Sequence, residues 1–74
     1  MTPGQFKDWR KRFFKSQRAA AEALGISASS VILYEAGKRR DDNETPVEIP
    51  KVVALACSAI AFNLPPYGEP NAPQ

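Results

Sequence analysis

The chain contains no histidine and a single cysteine, Cys57. These two scarcities exclude several chemistries at once. A structural zinc site needs four nitrogen or sulfur ligands, and this composition does not provide them, so no metal is expected. No disulfide can form within the chain, and a lone thiol fits a reducing compartment. The residue that titrates near neutral pH is missing, Cys57 lies in an apolar stretch, and no carboxylate pair falls on a predicted helix. A catalytic function is therefore not expected, nor is a cofactor.

Long apolar runs are also missing. Residues 52–66 form the longest nearly uncharged stretch, which is too short and too rich in alanine for a membrane span. The N-terminal MTPGQFKDWRKRFF has basic residues but no apolar signal core, so a cytoplasmic location is expected. There is no internal repeat. At 74 residues the chain is one domain at most, with no residues left for an effector domain, and no small-molecule effector is expected. A domain this size buries only about 60% of its unfolded surface, so dimerisation is the natural source of further stability.

Charge is present and unevenly placed. The net charge is only +2, but residues 1–18 carry Lys7, Arg10, Lys11, Arg12, Lys15 and Arg18 against Asp8 alone. Lys38, Arg39 and Arg40 form a second basic group, followed within eight residues by Asp41, Asp42, Glu44 and Glu48. Such segregation suggests a basic surface for a polyanion with an acidic loop held away from it. Solvated helix faces would give the same pattern.

The apolar periodicity predicts an all-α fold of four helices. The first spans residues 3–14, with Thr2 and Gln5 as a capping box around Pro3 and with Phe6, Trp9, Arg10 and Phe13 on one face. Ser16 opens a short second helix with Ala20, Ala21 and Leu24 turned inward, and Gly25 closes it. Ser27 caps a third helix over residues 28–35, with Val31 and Tyr34 toward the core and Gly37 as its stop. Residues 38–48 read as a polar loop. The fourth helix runs over residues 50–63, with Val53, Ala56 and Ile60 facing the core. Val52, Leu55, Ala59 and Phe62 form a second apolar stripe on it, which predicts a dimer interface. The domain is expected to end near residue 64, with residues 65–74 as an extended or disordered Pro-rich tail.

Two helices joined by a Gly-containing turn, the second lying across the first, form a supersecondary unit used in DNA binding, although helix pairs with such a turn also occur in many proteins that bind no DNA. Ala21 provides the small residue where the axes cross, Gly25, Ile26 and Ser27 the turn, and Val31 the core contact of the second helix. The segment SQRAAAEALGISASSVILYEAG, residues 16–37, resembles the Cro and phage-repressor type of helix-turn-helix domain, the xenobiotic-response-element-like family. The residues that carry the likeness are Ser16-Gln17, Ala20-Ala21, Gly25-Ile26-Ser27 and the closing Tyr34-Glu35-Ala36-Gly37.

The resemblance implies a compact lambda-repressor-like fold and a role for each matching residue. Gln17 matches a phosphate-binding position, and Arg10 with Glu35 matches a structural salt bridge between the first and third helices. Ala28, Ser29 and Leu33 match base-contacting positions, flanked by Ser30 and Ile32. Lys38, Arg39 and Arg40 follow the reading helix, where backbone contacts are frequent, and Lys11, Arg12 and Arg18 cluster around the motif as further phosphate contacts. The chain departs from the family pattern at Phe14, Lys15 and Ala20, which implies that Phe13 or Phe14 fills the space of a leucine.

One scarcity bears directly on function. Bases are read most often by Arg on guanine or Asn/Gln on adenine, and residues 28–35 contain none of these. Readout is left to serine hydroxyls, to apolar contacts with thymine methyls, and to Arg39 or Arg40 reaching a base edge. The expected function is a homodimeric, sequence-specific repressor, of the kind that controls its own operon in phages and mobile elements, on a palindromic operator in double-stranded DNA. The alternative is a protein-interaction module in which Ile32 and Leu33 bind protein. These two side chains could also pack on the loop 38–48.

Overall fold

Helix α1 (Pro3–Phe13) begins where Thr2 and Gln5 satisfy each other's backbone. The Gln5 N–H donates to Thr2 Oγ1 at 3.1 Å, and the Thr2 N–H donates to Gln5 Oε1 at 2.8 Å. Phe14 then turns to extended backbone while its N–H still donates to the Arg10 carbonyl. Helix α2 (Gln17–Leu24) is capped by Ser16, whose hydroxyl accepts from the Ala19 N–H at 3.0 Å. Helix α3 (Ala28–Ala36) is capped in the same way by Ser27. Both stop on left-handed glycines, Gly25 at φ 74° and Gly37 at φ 76°, a conformation that side chains with a Cβ adopt at a cost. A Cβ on Gly37 would also lie 2.7 Å from Pro3 Cγ, so glycine lets the end of α3 meet the start of α1.

Helix α4 (Lys51–Ala61) is built differently. Pro50 precedes it and no side chain caps it, so packing must hold it in place. It ends two residues before the periodicity predicts, because Phe62 leaves the helix and Asn63 takes φ 57°. Asn is among the few residues that enter the left-handed region readily.

The computed structural model describes residues 1–39 and 43–69. Among these, all regular structure is helical, apart from an isolated antiparallel bridge between Lys38 and Pro46. No helix among them is long and apolar enough to cross a membrane.

The core is Phe6, Trp9, Ala20, Ala21, Val31, Val53 and Cys57. Phe6 meets Tyr34 edge-on at 5.7 Å between ring centroids, and Trp9 stands beside Phe6 and Phe14 at 5.6 and 5.5 Å. Phe14 and Leu24 pack against this cluster from its margin. Phe13, expected on the inward stripe, is 40% exposed and only flanks Trp9. The Trp9 indole N–H donates to the Cys57 carbonyl at 3.0 Å, a buried bond that ties α4 to α1. On α4 the buried pair is Val53, as expected, and Cys57; Ile60, also expected inward, is partly buried and packs against the core, and Ala56 is half-buried. A helix apolar on all sides gives no phase from which to choose its inner face.

Leu64, just before the Pro-rich tail, and Pro66 line a hollow of about 260 Å³ with Ala23, Leu24, Ala59 and Ile60, and both stay exposed, as do residues 67–69. A turn follows at Gly68, with the Glu69 N–H donating to the Pro66 carbonyl at 3.1 Å. One expectation changes: Glu44 of the acidic loop is not held away from the basic residues, while Asp41 and Asp42 lie outside the described residues. The Val47 N–H donates to the Gly37 carbonyl and the Arg39 N–H to that of Thr45, which brings Glu44 onto Lys38.

Candidate nucleic-acid interface

The short turn 25–27 sets α3 directly after α2, and the Ile26 N–H donating to the Ala21 carbonyl at 3.0 Å fixes it. Ala21 is nearly fully buried, so the two helices approach without a large side chain between them. With Val31 buried below, α3 turns Ala28, Ser29 and Ile32 to solvent, while Ser30 and Leu33 are half-buried. The Ser30 hydroxyl lies 3.0 Å from the Ser27 hydroxyl, so the helix's own N-terminus engages one of the two serines expected to read bases. Ser29, Ile32, Leu33, Ala36 and Lys38 line a shallow groove of about 290 Å³ on this face. Ala36 was not among the expected contacts, since small residues carry no signal of their own at the end of a helix.

Glu35 is the one acidic residue of α3, and it faces away from this groove. Arg10 Nε donates to Glu35 Oε2 at 3.0 Å and Arg10 Nη2 to Oε1 at 3.2 Å, a two-pronged pairing with side chains only 13% and 7% exposed. The hydrogen bonds with Glu35 raise the Arg10 pKa further, against the opposing effect of burial. Arg10 Nη1 also reaches the Lys15 carbonyl at 3.4 Å. This pair joins α1 to the end of α3.

The other basic side chains divide into two groups. Lys7, Lys11, Arg12, Lys15, Arg39 and Lys51 are exposed, with no carboxylate bonded to them among the described residues. Arg18 lies 3.8 Å from Glu22 with both side chains largely exposed, a contact of little energy. Lys38 is held at 3.1 Å by Glu44, so its charge is partly neutralised, a pairing that the expected segregation of charge did not foresee. Gln17 sits half-buried at the first position of α2. Arg40, expected to reach a base, lies outside the described residues.

The four residues expected to form a dimer interface are not alike. Val52, Leu55 and Phe62 are 69%, 60% and 78% exposed, whereas Ala59 is half-buried beside the start of the tail. Burial pushes the Cys57 thiol up to about 11, leaving it a packing group rather than a nucleophile. No cluster of side chains suited to a metal ion occurs among the described residues. No family model, no curated protein and no solved structure matches the chain.

Proposed function

We propose that this protein is a sequence-specific DNA-binding regulator with a phage-repressor type of helix-turn-helix fold, acting as a homodimeric repressor on a palindromic operator. The observation that carries this reading is the outer face of α3. Ala28, Ser29 and Ile32 face solvent with no carboxylate among them, because Glu35 is turned inward and bonded to Arg10. A helix face without negative charge meets no repulsion from the phosphates that flank the major groove, and this one carries none. The first turns of α2 and α3 contain no acidic residue, so the positive ends of both helix dipoles are uncompensated. Lys11, Arg12, Arg18 and Arg39 would add phosphate contacts, with Lys38 available once it exchanges Glu44 for phosphate. Ser29 would contribute a hydroxyl, and Ala28, Ile32 and Leu33 would meet thymine methyls.

The groove beside Ile32 also suits an apolar protein segment, the second reading. A titration of DNA from upstream of the protein's own gene separates the two. If a dimer neutralises about six to ten phosphates, affinity falls by roughly 10³–10⁵ between 50 and 200 mM salt. Absence of binding at the low-salt end would reject the DNA reading in favour of the protein one.

A further inference from the structure

The outer face of α3 holds apolar surface and very little hydrogen-bonding capacity. Ser29, Ile32, Leu33, Ala36 and Lys38 line its groove of about 290 Å³, and Ile32 is 42% exposed there. Ser30 is half-buried, with its hydroxyl paired to that of Ser27 at 3.0 Å. Lys38 is held by Glu44 at 3.1 Å and serves a phosphate in the reading above. The Ser29 hydroxyl is left beside three apolar side chains, Ile32, Leu33 and Ala36.

Thymine and cytosine differ in the major groove at two places. At the 4-position thymine offers an oxygen acceptor and cytosine an amino donor, and at C5 thymine alone carries a methyl. A carboxylate would accept from the cytosine amino group, but Glu35, the only one on α3, is bonded to Arg10. A serine hydroxyl both donates and accepts, so Ser29 satisfies either base. The purines opposite have no reader on this helix, because residues 28–36 contain no Arg, Asn or Gln. Only the methyl distinguishes one pyrimidine from another on such a face. We propose that α3 recognises a 5-methylpyrimidine rather than thymine as such, so that 5-methylcytosine in duplex DNA is bound in its place. Methylation of an operator cytosine at C5 then strengthens binding. The inference rests on the DNA reading above and extends it from a base to a chemical group. Burying one methyl against Ile32 and Leu33 is worth about a fourfold gain in affinity, and about fifteenfold when both half-sites of a palindrome carry it.

The test is a duplex containing the sequence that the protein protects upstream of its own gene. Four pyrimidines are placed in turn at each thymine position of one half-site: thymine and uracil opposite adenine, cytosine and 5-methylcytosine opposite guanine. Fluorescence anisotropy gives the affinity of each duplex. Members of a pair differ by the methyl alone, so the change from an A·T to a G·C pair, with its effect on duplex shape, cancels. At one or more positions uracil should weaken binding about fourfold. At the same positions 5-methylcytosine should bind about fourfold more tightly than cytosine. Ile32→Ala removes most of the apolar wall at an exposed site and should shrink both effects together. If cytosine and 5-methylcytosine bind alike where thymine and uracil differ, the base itself is read and the proposal is overturned, with the DNA reading left standing. Indifference to every methyl has the same consequence, as do methyl effects that persist undiminished in Ile32→Ala, since the methyls then lie away from this groove. No binding to the upstream DNA at 50 mM salt overturns the DNA reading and this inference with it.

Discussion

Replacing Arg10 with methionine isolates the tie between α1 and α3. The substitution keeps an unbranched, apolar stem and deletes the guanidinium, so Glu35 keeps its 7% exposed side chain and loses both bonds from Arg10. A charge left unpaired in such a site costs about 3–5 kcal/mol, because the solvation it gave up on folding is no longer offset. The lost bond to the Lys15 carbonyl, already long at 3.4 Å, adds little. A 74-residue domain has roughly 4–11 kcal/mol of stability in total, so the variant should be close to unfolding. In thermal terms the loss corresponds to a fall of more than about 12 °C in Tm. Arg10→Met/Glu35→Met supplies the control: with no orphaned charge it should return to within about 1 kcal/mol of wild type. Urea titrations followed by circular dichroism measure all the variants. A single-variant loss under about 1 kcal/mol would mean that the pair behaves as an exposed one, and the burial argument would be refuted.

Three further outcomes are expected. Gly37→Ala should destabilise more than Gly25→Ala in parallel melts: both take a left-handed φ, but only at Gly37 does the new Cβ meet the Pro3 ring. The Cys57 thiol should resist a thiol reagent at pH 8 in the folded protein and react when urea unfolds it. Its raised folded pKa also means that its stabilising contribution is complete below about pH 9 and is lost as pH climbs toward about 11, so alkaline unfolding should begin earlier in wild type than in Cys57→Ala. Uracil in place of operator thymines removes only methyl groups; affinity should fall at positions facing Ala28, Ile32 or Leu33, and undiminished binding at every thymine would transfer the reading role to Arg39 and Arg40.

Capping chemistry made the first three helices legible in the sequence. Thr2, Ser16 and Ser27 start them and Gly25 and Gly37 stop two of them, each through a backbone preference that needs no tertiary context. The α4 interior is harder to read because its apolar residues surround the axis: the periodicity places Val53 inward, and only the fold shows that Cys57 joins it. The bond from Trp9 to the Cys57 carbonyl spans 48 positions and has no local signature. Composition misleads at the loop after α3, because it carries no information on where the backbone returns. Its backbone returns to Gly37 and Lys38, which brings Glu44 onto the first of the basic residues there. At the candidate site, the outward position of Ser29 follows from helical periodicity. The engagement of Ser30 by Ser27 required the cap geometry.

Footprinting the protein on the DNA upstream of its own gene tests whether α3 reads a palindrome. Two related half-sites should be protected, their centres about one helical turn, or a multiple of it, apart on the same face of the duplex. Protection should be lost when Ile32 is replaced by glutamate, which adds a negative charge to the face of α3 without touching the core. Protection that is uniform along the fragment, or unchanged by Ile32→Glu, would contradict it.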